Sequence, residues 1–338
     1  MVPPVTLENR RKTISVIITA HTREDYLDDA VKSVLSQKGN YSLSEIIVVK
    51  NFNHEKLDKW LTDSKIKTVF SNGSIGEDLV AGIQQANGEI ICFLDDDDLF
   101  EPLKLAHVSD VFENVPELGF YHNAFNLFNE QNYFIRNALM KQPINPKIIK
   151  SATTKDLHYI FSHGGHVNMS SICIPKKMIS GRLEILVKIT GVPDDFCLFS
   201  ALDSGYYVFL DTLRLTKYRV HLSASHQSGS LGQFAEDATF RLTTWMESYN
   251  VILSSIKVQM LRELCRCRIS RENLVITILK QDFVRKDVTT LLIQNIKCTT
   301  KFHIRTTIFI MISTVISFMS KRIGRFMMYI VRTKILNV

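Results

Sequence analysis

ANGEIICFLDDDDLF (86–100) runs from a turn through an unbroken apolar stretch into four consecutive aspartates. Gly88 stops the segment before it, and EIICFL (89–94) has the length and continuity of a strand covered on both faces. Four adjacent carboxylates, Asp95 to Asp98, repel one another unless a cation neutralises them. Hard oxygen ligands suit magnesium or manganese, and magnesium usually shares protein carboxylates with substrate phosphates. An EF-hand is excluded, because the sixth position from Asp95 is no glycine and the twelfth no glutamate. In isolation such a run would be a solvated acidic turn, so its surroundings decide.

Working back from it, strand and helix signals alternate at short spacing. TISVIITA (13–20) is a β-branched run of strand length, and Thr22 can cap a helix directly after it. Leu27, Ala30, Val31, Val34 and Leu35 recur at helical spacing, predicting an amphipathic helix to about Gln37. EIIVV (45–49) and KTVF (67–70) are further strands, with a helix near 54–63 between them. NGSIG (72–76) reads as a turn, with Gly73 and Gly76 as turn residues, before a helix over 77–86. Near-continuous apolar strands separated by helices specify an α/β fold with a mostly parallel sheet flanked by helices. Ligands of such sheets sit beyond the carboxyl ends of the strands. TAHTRE (19–24), KNFNHE (50–55) and the aspartates should therefore line one rim.

The part from 115 to 228 is less regular. GFYHNAFNLF (119–128), YFIRN (133–137) and SSICIP (170–175) read as strands. Pro193 can start a helix that Gly205 ends, and two strands are expected at 206–210 and 213–220. From Gln233 to Cys298 the pattern is largely helical and amphipathic.

These segments in this order resemble the family 2 glycosyltransferases of the GT-A fold. The resemblance rests on SVIITAHTREDYLDDAVKSVLSQ (15–37), SEIIVV (44–49), NGSIG and ANGEIICFLDDDD, followed by Asp194-Asp195, Gly205 and YRVH (218–221). It covers residues 13–228, about two-thirds of the chain. It implies a nucleotide-diphosphate-sugar donor, a divalent cation (Mg2+ or Mn2+), and a glycan or lipid-linked acceptor. Asp95 and Asp97 match the family's Asp-x-Asp element, which binds metal and diphosphate, with Asp96 and Asp98 beside them. His221 matches a histidine that approaches the metal, and Thr19 and Arg23 match positions that contact the nucleotide. Asp195 matches the catalytic base of an inverting reaction. Lys50 and Asn51 stand where the family usually places aspartates that contact base and ribose. They present donors where an acceptor is expected, which leaves the nucleotide open.

Charge and cysteine content bound the rest. From Lys301 to Val338 there are seven Lys or Arg and no Asp or Glu, while the whole chain is formally +7. The excess charge is one basic end, not a nucleic-acid surface. TTIFIMISTVISFMS (306–320) is uncharged and, at 15 residues, shorter than the roughly 20 that span a bilayer. A membrane-surface helix is expected there, with a core helix, a contact with a second copy of the chain or a true span as alternatives. The six cysteines show no metal spacing and read as reduced thiols, and MVPPVTLENRRK carries no secretory signal. A cytoplasmic protein, peripheral on the membrane, is the expectation. Its organisation would be 1–228 catalytic (13–114 for nucleotide, 115–228 for acceptor), 229–300 a helical extension, and 301–338 a membrane-associating tail. A silent nucleotide-binding scaffold on the same fold and a sugar nucleotidyltransferase are the alternative functions.

Overall fold

A computed structural model describes residues 11–129, 134–135, 142–220, 231–281, 285–302, 312, 314–316 and 320–330. Among these described residues ten strands form a single mixed sheet. They are β1 (Thr13–Ala20), β2 (Ser42–Lys50), β3 (Lys67–Phe70), β4 (Ile90–Asp95), β5 (Leu99–Phe100), β6 (Leu118–Asn129), β7 (Phe134–Ile135), β8 (Lys147–Ile149), β9 (Ile172–Pro175) and β10 (Tyr207–Val220). Their order is β3-β2-β1-β4-β9-β6-β10-β5, with β7 on β6 and β8 on β10. The parallel arrangement expected from the apolar runs holds across β3-β2-β1-β4 and between β6 and β10. Strand β9 is antiparallel to both β4 and β6 and joins the two parallel sets.

The helices are α1 (Leu27–Leu35), α2 (Glu55–Asp63), α3 (Ile75–Gln85), α4 (Lys104–Asn114), α5 (Thr154–Ser162), α6 (Lys176–Ser180), α7 (Leu183–Leu186), α8 (Pro193–Asp203), α9 (Leu231–Ser255), α10 (Gln259–Lys280), α11 (Arg285–Phe302) and α12 (Lys321–Ile330). Successive residues of the central strands serve opposite faces. Ile17, Ile47, Val49, Ile91 and Phe93 pack with α3, α5 and α8 and with residues of α9 and α10. Val16, Ile18, Ile46, Val48, Cys92 and Leu94 pack with α1, α2 and α4. This two-sided burial is why the strands read as continuous apolar runs. A third cluster joins α9, α10, α11 and Met328 of α12.

Local chemistry moves three boundaries from their expected places. Thr22 does not cap α1: its backbone lies at φ 58°, its hydroxyl donates to the His21 carbonyl, and the N-cap residue is Tyr26. Gly76 is helical. A capping box between Ser74 and Glu77 starts α3 at Ile75. The strands expected at 206–210 and 213–220 are one strand, β10, whose register against β6 shifts between Leu210 and Arg214. Buried Asp211 holds that irregularity, accepting from Leu213 N, Tyr121 Oη and His107. Helix α8 does end as expected. Gly205, at φ 77°, and Tyr206 donate to the carbonyls of Leu202 and Ala201, a Schellman closure.

Cysteine chemistry also differs. Cys267 and Cys298 form a disulfide between α10 and α11, their Cα atoms 5.6 Å apart, so the expectation of six reduced thiols fails for this pair. Their sequence separation of 31 hid an adjacency that the packing of two helices creates. Bonds of this kind persist in oxidising compartments.

Candidate active site

Parallel pairing places the ends of β1, β2 and β4 together. Thr19 lies opposite both Val49 and Asp95, and Ala20 lies opposite Lys50. The rim expected from the sequence is therefore formed. Asp96 N donates to the Thr19 carbonyl (3.2 Å) and Asp95 N to Ser170 Oγ (2.9 Å), which pins the aspartate turn to β1 and to the segment before β9. The Arg23 guanidinium reaches across to Asp96 (2.5 Å) and Asp97 (2.7 Å). Burial pushes the Asp95 carboxyl up to about 7, and Asp97 and Asp96 add to this against the pull of Arg23. Like charges in a confined turn create a demand for positive charge, which a divalent cation with its diphosphate would meet.

Asp98 points the other way, into the protein. It is fully buried, and burial with the charges of Asp97 and Asp95 pushes its carboxyl well up. Arg219 supports the turn. Its backbone N–H donates to Asp98 Oδ1 and its Nε to the Asp97 carbonyl, both at 2.8 Å. Its guanidinium lies 4.2 Å from the Tyr26 ring centre and 4.6 Å from that of Phe128. Fully buried Lys104 lies beneath, donating to the Ser170 carbonyl and to Thr216 Oγ1.

The second strand end differs from expectation in one respect. The Lys50 ammonium is 3 % exposed, paired with Asp58 at 2.8 Å and donating to the Phe52 carbonyl, so it is committed to α2 and not to the rim. Asn51 does join the rim, accepting from Thr22 N (2.7 Å) and contacting His21. Beside them lies Asp78 of α3, 6 % exposed and bonded to Ser71 Oγ at 2.5 Å, with His21 3.8 Å away. It brings a carboxylate to the region where Lys50-Asn51 left none. Only the packing of α3 places it here.

Asp194 and Asp195 open α8 behind Pro193, facing different partners. Asp194 is partly exposed, and burial together with Asp195 and, more weakly, Asp95 pushes its carboxyl up to about 8. Asp195 is 2 % exposed and accepts from the Tyr249 hydroxyl on α9. Burial raises it, against the opposing influence of Arg268, Tyr249 and Arg271. Tyr249, Arg268, Asp78 and Arg219 are the site residues that sequence reasoning missed, though Arg219 was visible in YRVH. His221 lies outside the described residues.

The fit of a metal to these residues is a matter of donor chemistry. Asp95 and Asp97 are hard oxygen donors at an accessible strand end, which suits a cation that is also held by phosphates. Among the described residues, no group of three or more His, Cys, Asp or Glu could hold a metal ion by itself. A shared site, not a closed protein cage, is what the donor set fits.

A mixed sheet with an aspartate turn at its parallel strand ends, and a helical region after it, is a GT-A-type fold. It is found in TarS 1-349 of S. aureus, which aligns with a TM-score of 0.51 at 12% identity over 91% of each chain. That fragment has also been solved with UDP and with UDP-GlcNAc. Residues 15–173 match Glycosyl transferase family 2. Among curated relatives, an uncharacterized glycosyltransferase of Nostoc sp. is 27% identical over 242 residues, 67% of this chain and 70% of that protein. One of Rickettsia typhi is 25% identical over 227 residues, 66% of this chain and 68% of its own length.

Proposed function

We propose that the protein is a metal-dependent inverting glycosyltransferase, moving a sugar from a nucleotide diphosphate to an acceptor at or near a membrane. The observation that carries this is the approach of two acidic groups from separate elements. The aspartate turn ends β4 and the Asp194-Asp195 pair begins α8, near enough for Asp95 to raise Asp194. Inversion needs a base on the face of the anomeric carbon opposite the leaving group. Asp95 and Asp97 would hold the cation, which when bound offsets charge developing on the departing diphosphate. Arg23 would turn from Asp96 and Asp97 toward phosphate, and Thr19, Asn51 and Asp78 would contact the nucleoside. Asp195 is the base in this reading. Asp194, partly exposed and within the field of Asp95, is the second candidate. The UDP-bound and UDP-GlcNAc-bound TarS structures make a UDP-sugar the donor of choice.

The test is thermal stability against UDP-, GDP-, CMP- and dTDP-linked sugars, with and without manganese, followed by turnover of the donor that binds. A ligand at 100 times its dissociation constant should stabilise by about 2.7 kcal/mol. That rise should need manganese and vanish in D95N and D97N. D195N should bind donor and not turn it over. An inactive D194N beside an active D195N would move the base by one residue. No shift with any donor would make the silent scaffold the leading function.

A further inference from the structure

The helices that follow residue 230 reach back into the catalytic half. Tyr249, on α9, is 2 % exposed, and its hydroxyl donates to Asp195 Oδ2. Asp195 Oδ1 is buried without a hydrogen-bond partner. Arg268, on α10, is 9 % exposed, with its guanidinium 4.5 Å from the Phe161 ring centre and its Nε also without a partner. Buried polar atoms are nearly always satisfied, and the exceptions need an explanation. A carboxylate with one oxygen held and the other unpartnered keeps a lone pair for the proton of a hydroxyl brought against it on binding.

We propose that Tyr249 is a positioning residue for Asp195: it holds Oδ2 so that Oδ1 stays free to accept the proton of the acceptor hydroxyl. This rests on Asp195 being the base. The acceptor oxygen then bonds the anomeric carbon, the bond from that carbon to the diphosphate oxygen breaks, and its electron pair leaves with the diphosphate. The charge of Arg268 favours the ionised form of the base. The helical extension thereby supplies part of the catalytic apparatus, not only a platform.

The charged and titratable groups around Asp195 are known from each element packed on it. Asp194 is its neighbour on α8, and Asp194 Oδ1 accepts from Asp195 N at 2.9 Å. Tyr249 faces it from α9, while Arg268, Arg271 and Cys265 on α10 interact with its charge. Arg271 is itself paired with Glu272. Tyr249 and the two arginines favour the carboxylate, and burial opposes it. Loss of the phenol hydroxyl should therefore make Asp195 harder to ionise.

The experiment titrates Asp195 by NMR in the full chain labelled with 13Cγ-aspartate, with the D195N spectrum assigning its signal. In Y249F the midpoint should move up by about half a pH unit or more, roughly threefold in the ionisation constant. 3-Fluorotyrosine at position 249, a stronger donor of unchanged shape, should move it down, and serves if Y249F does not fold. A midpoint unmoved by either change overturns the inference. Release of UDP from UDP-GlcNAc with manganese keeps the two readings apart. An inactive D195N beside a Y249F with the wild-type pH profile sinks the positioning role alone. A D195N with full turnover sinks the base, and this inference with it.

Discussion

Asp194 shows at the scale of one residue how burial changes a carboxylate's contribution to stability. Its folded carboxyl sits at about 8, raised first by burial and then by Asp195 and Asp95, against about 3.9 in an unfolded chain. A raised acid binds its proton more tightly when folded. Its stabilising contribution is full below about pH 4 and is lost as pH rises through about 8. D194N should remove that loss. Urea unfolding should find the variant about 1–2 kcal/mol more stable than wild type at pH 9, a figure reduced for solvent screening, and little different at pH 4. Equal differences at both pH values would disprove the assignment. Asp98 differs from its neighbours for the same reason: it is buried against Arg219 and Lys104, whereas Asp95 and Asp97 meet solvent. All four aspartates look alike in sequence. Which of them serve a ligand depends on the direction each side chain takes as the turn leaves the sheet.

Among the elements, α3 and the segment leading to α8 are coupled through a glycine. A Cβ on Gly76 would lie 2.2 Å from the Leu186 carbonyl oxygen and 2.5 Å from that of Ile189, and Gly76 N donates to Ile189 O. These are backbone atoms that cannot rotate away. G76A should cost about 1–3 kcal/mol, measured by urea unfolding, and should weaken turnover by displacing the approach to Asp194 and Asp195. G181A is the control. A Cβ there meets nothing within 4 Å, so its midpoint should stay at or slightly above wild type. If the two variants behave alike, close packing at Gly76 is not what couples these elements. The capping-box spacing of Ser74 and Glu77 marks the helix start at Ile75, a signal that the reading of NGSIG as a turn passed over. The 186–189 segment against Gly76 was not legible, since 110 or more residues separate them and no local pattern records the contact.

The whole molecule is held at its far end by devices the chain order conceals. The Cys267–Cys298 disulfide closes α10 onto α11, while Cys92, Cys173, Cys197 and Cys265 remain free and buried. A peptide map without reductant should recover one linked pair and four thiols, and C298S should cost about 2–4 kcal/mol in chemical unfolding. Six free thiols would overturn the bond. No helix of the described residues is long and apolar enough to cross a membrane. The described part of the basic tail is instead two-faced: Met328 is buried with α9 and α10, while Ile323 and Phe326 are half exposed. If that face docks on an anionic surface, I323D/F326D should lose sedimentation with phosphatidylglycerol vesicles while keeping its unfolding midpoint. Binding equal to wild type would refute the membrane proposal.

The sequence by itself determined the α/β class, the four parallel strands through β4, the helix that begins at Pro193 and the carboxylates at two element ends. It could do so because strand continuity, helical spacing and turn residues are local physics, acting over a few neighbours. Only the tertiary structure decided that Lys50 turns to Asp58, that Asp78 takes a place beside Asn51, and that Tyr249 reaches Asp195 from the helical extension. Those contacts are set by how amphipathic faces pack across long separations, where hydrophobic burial fixes the helices and the polar side chains they carry arrive as a consequence.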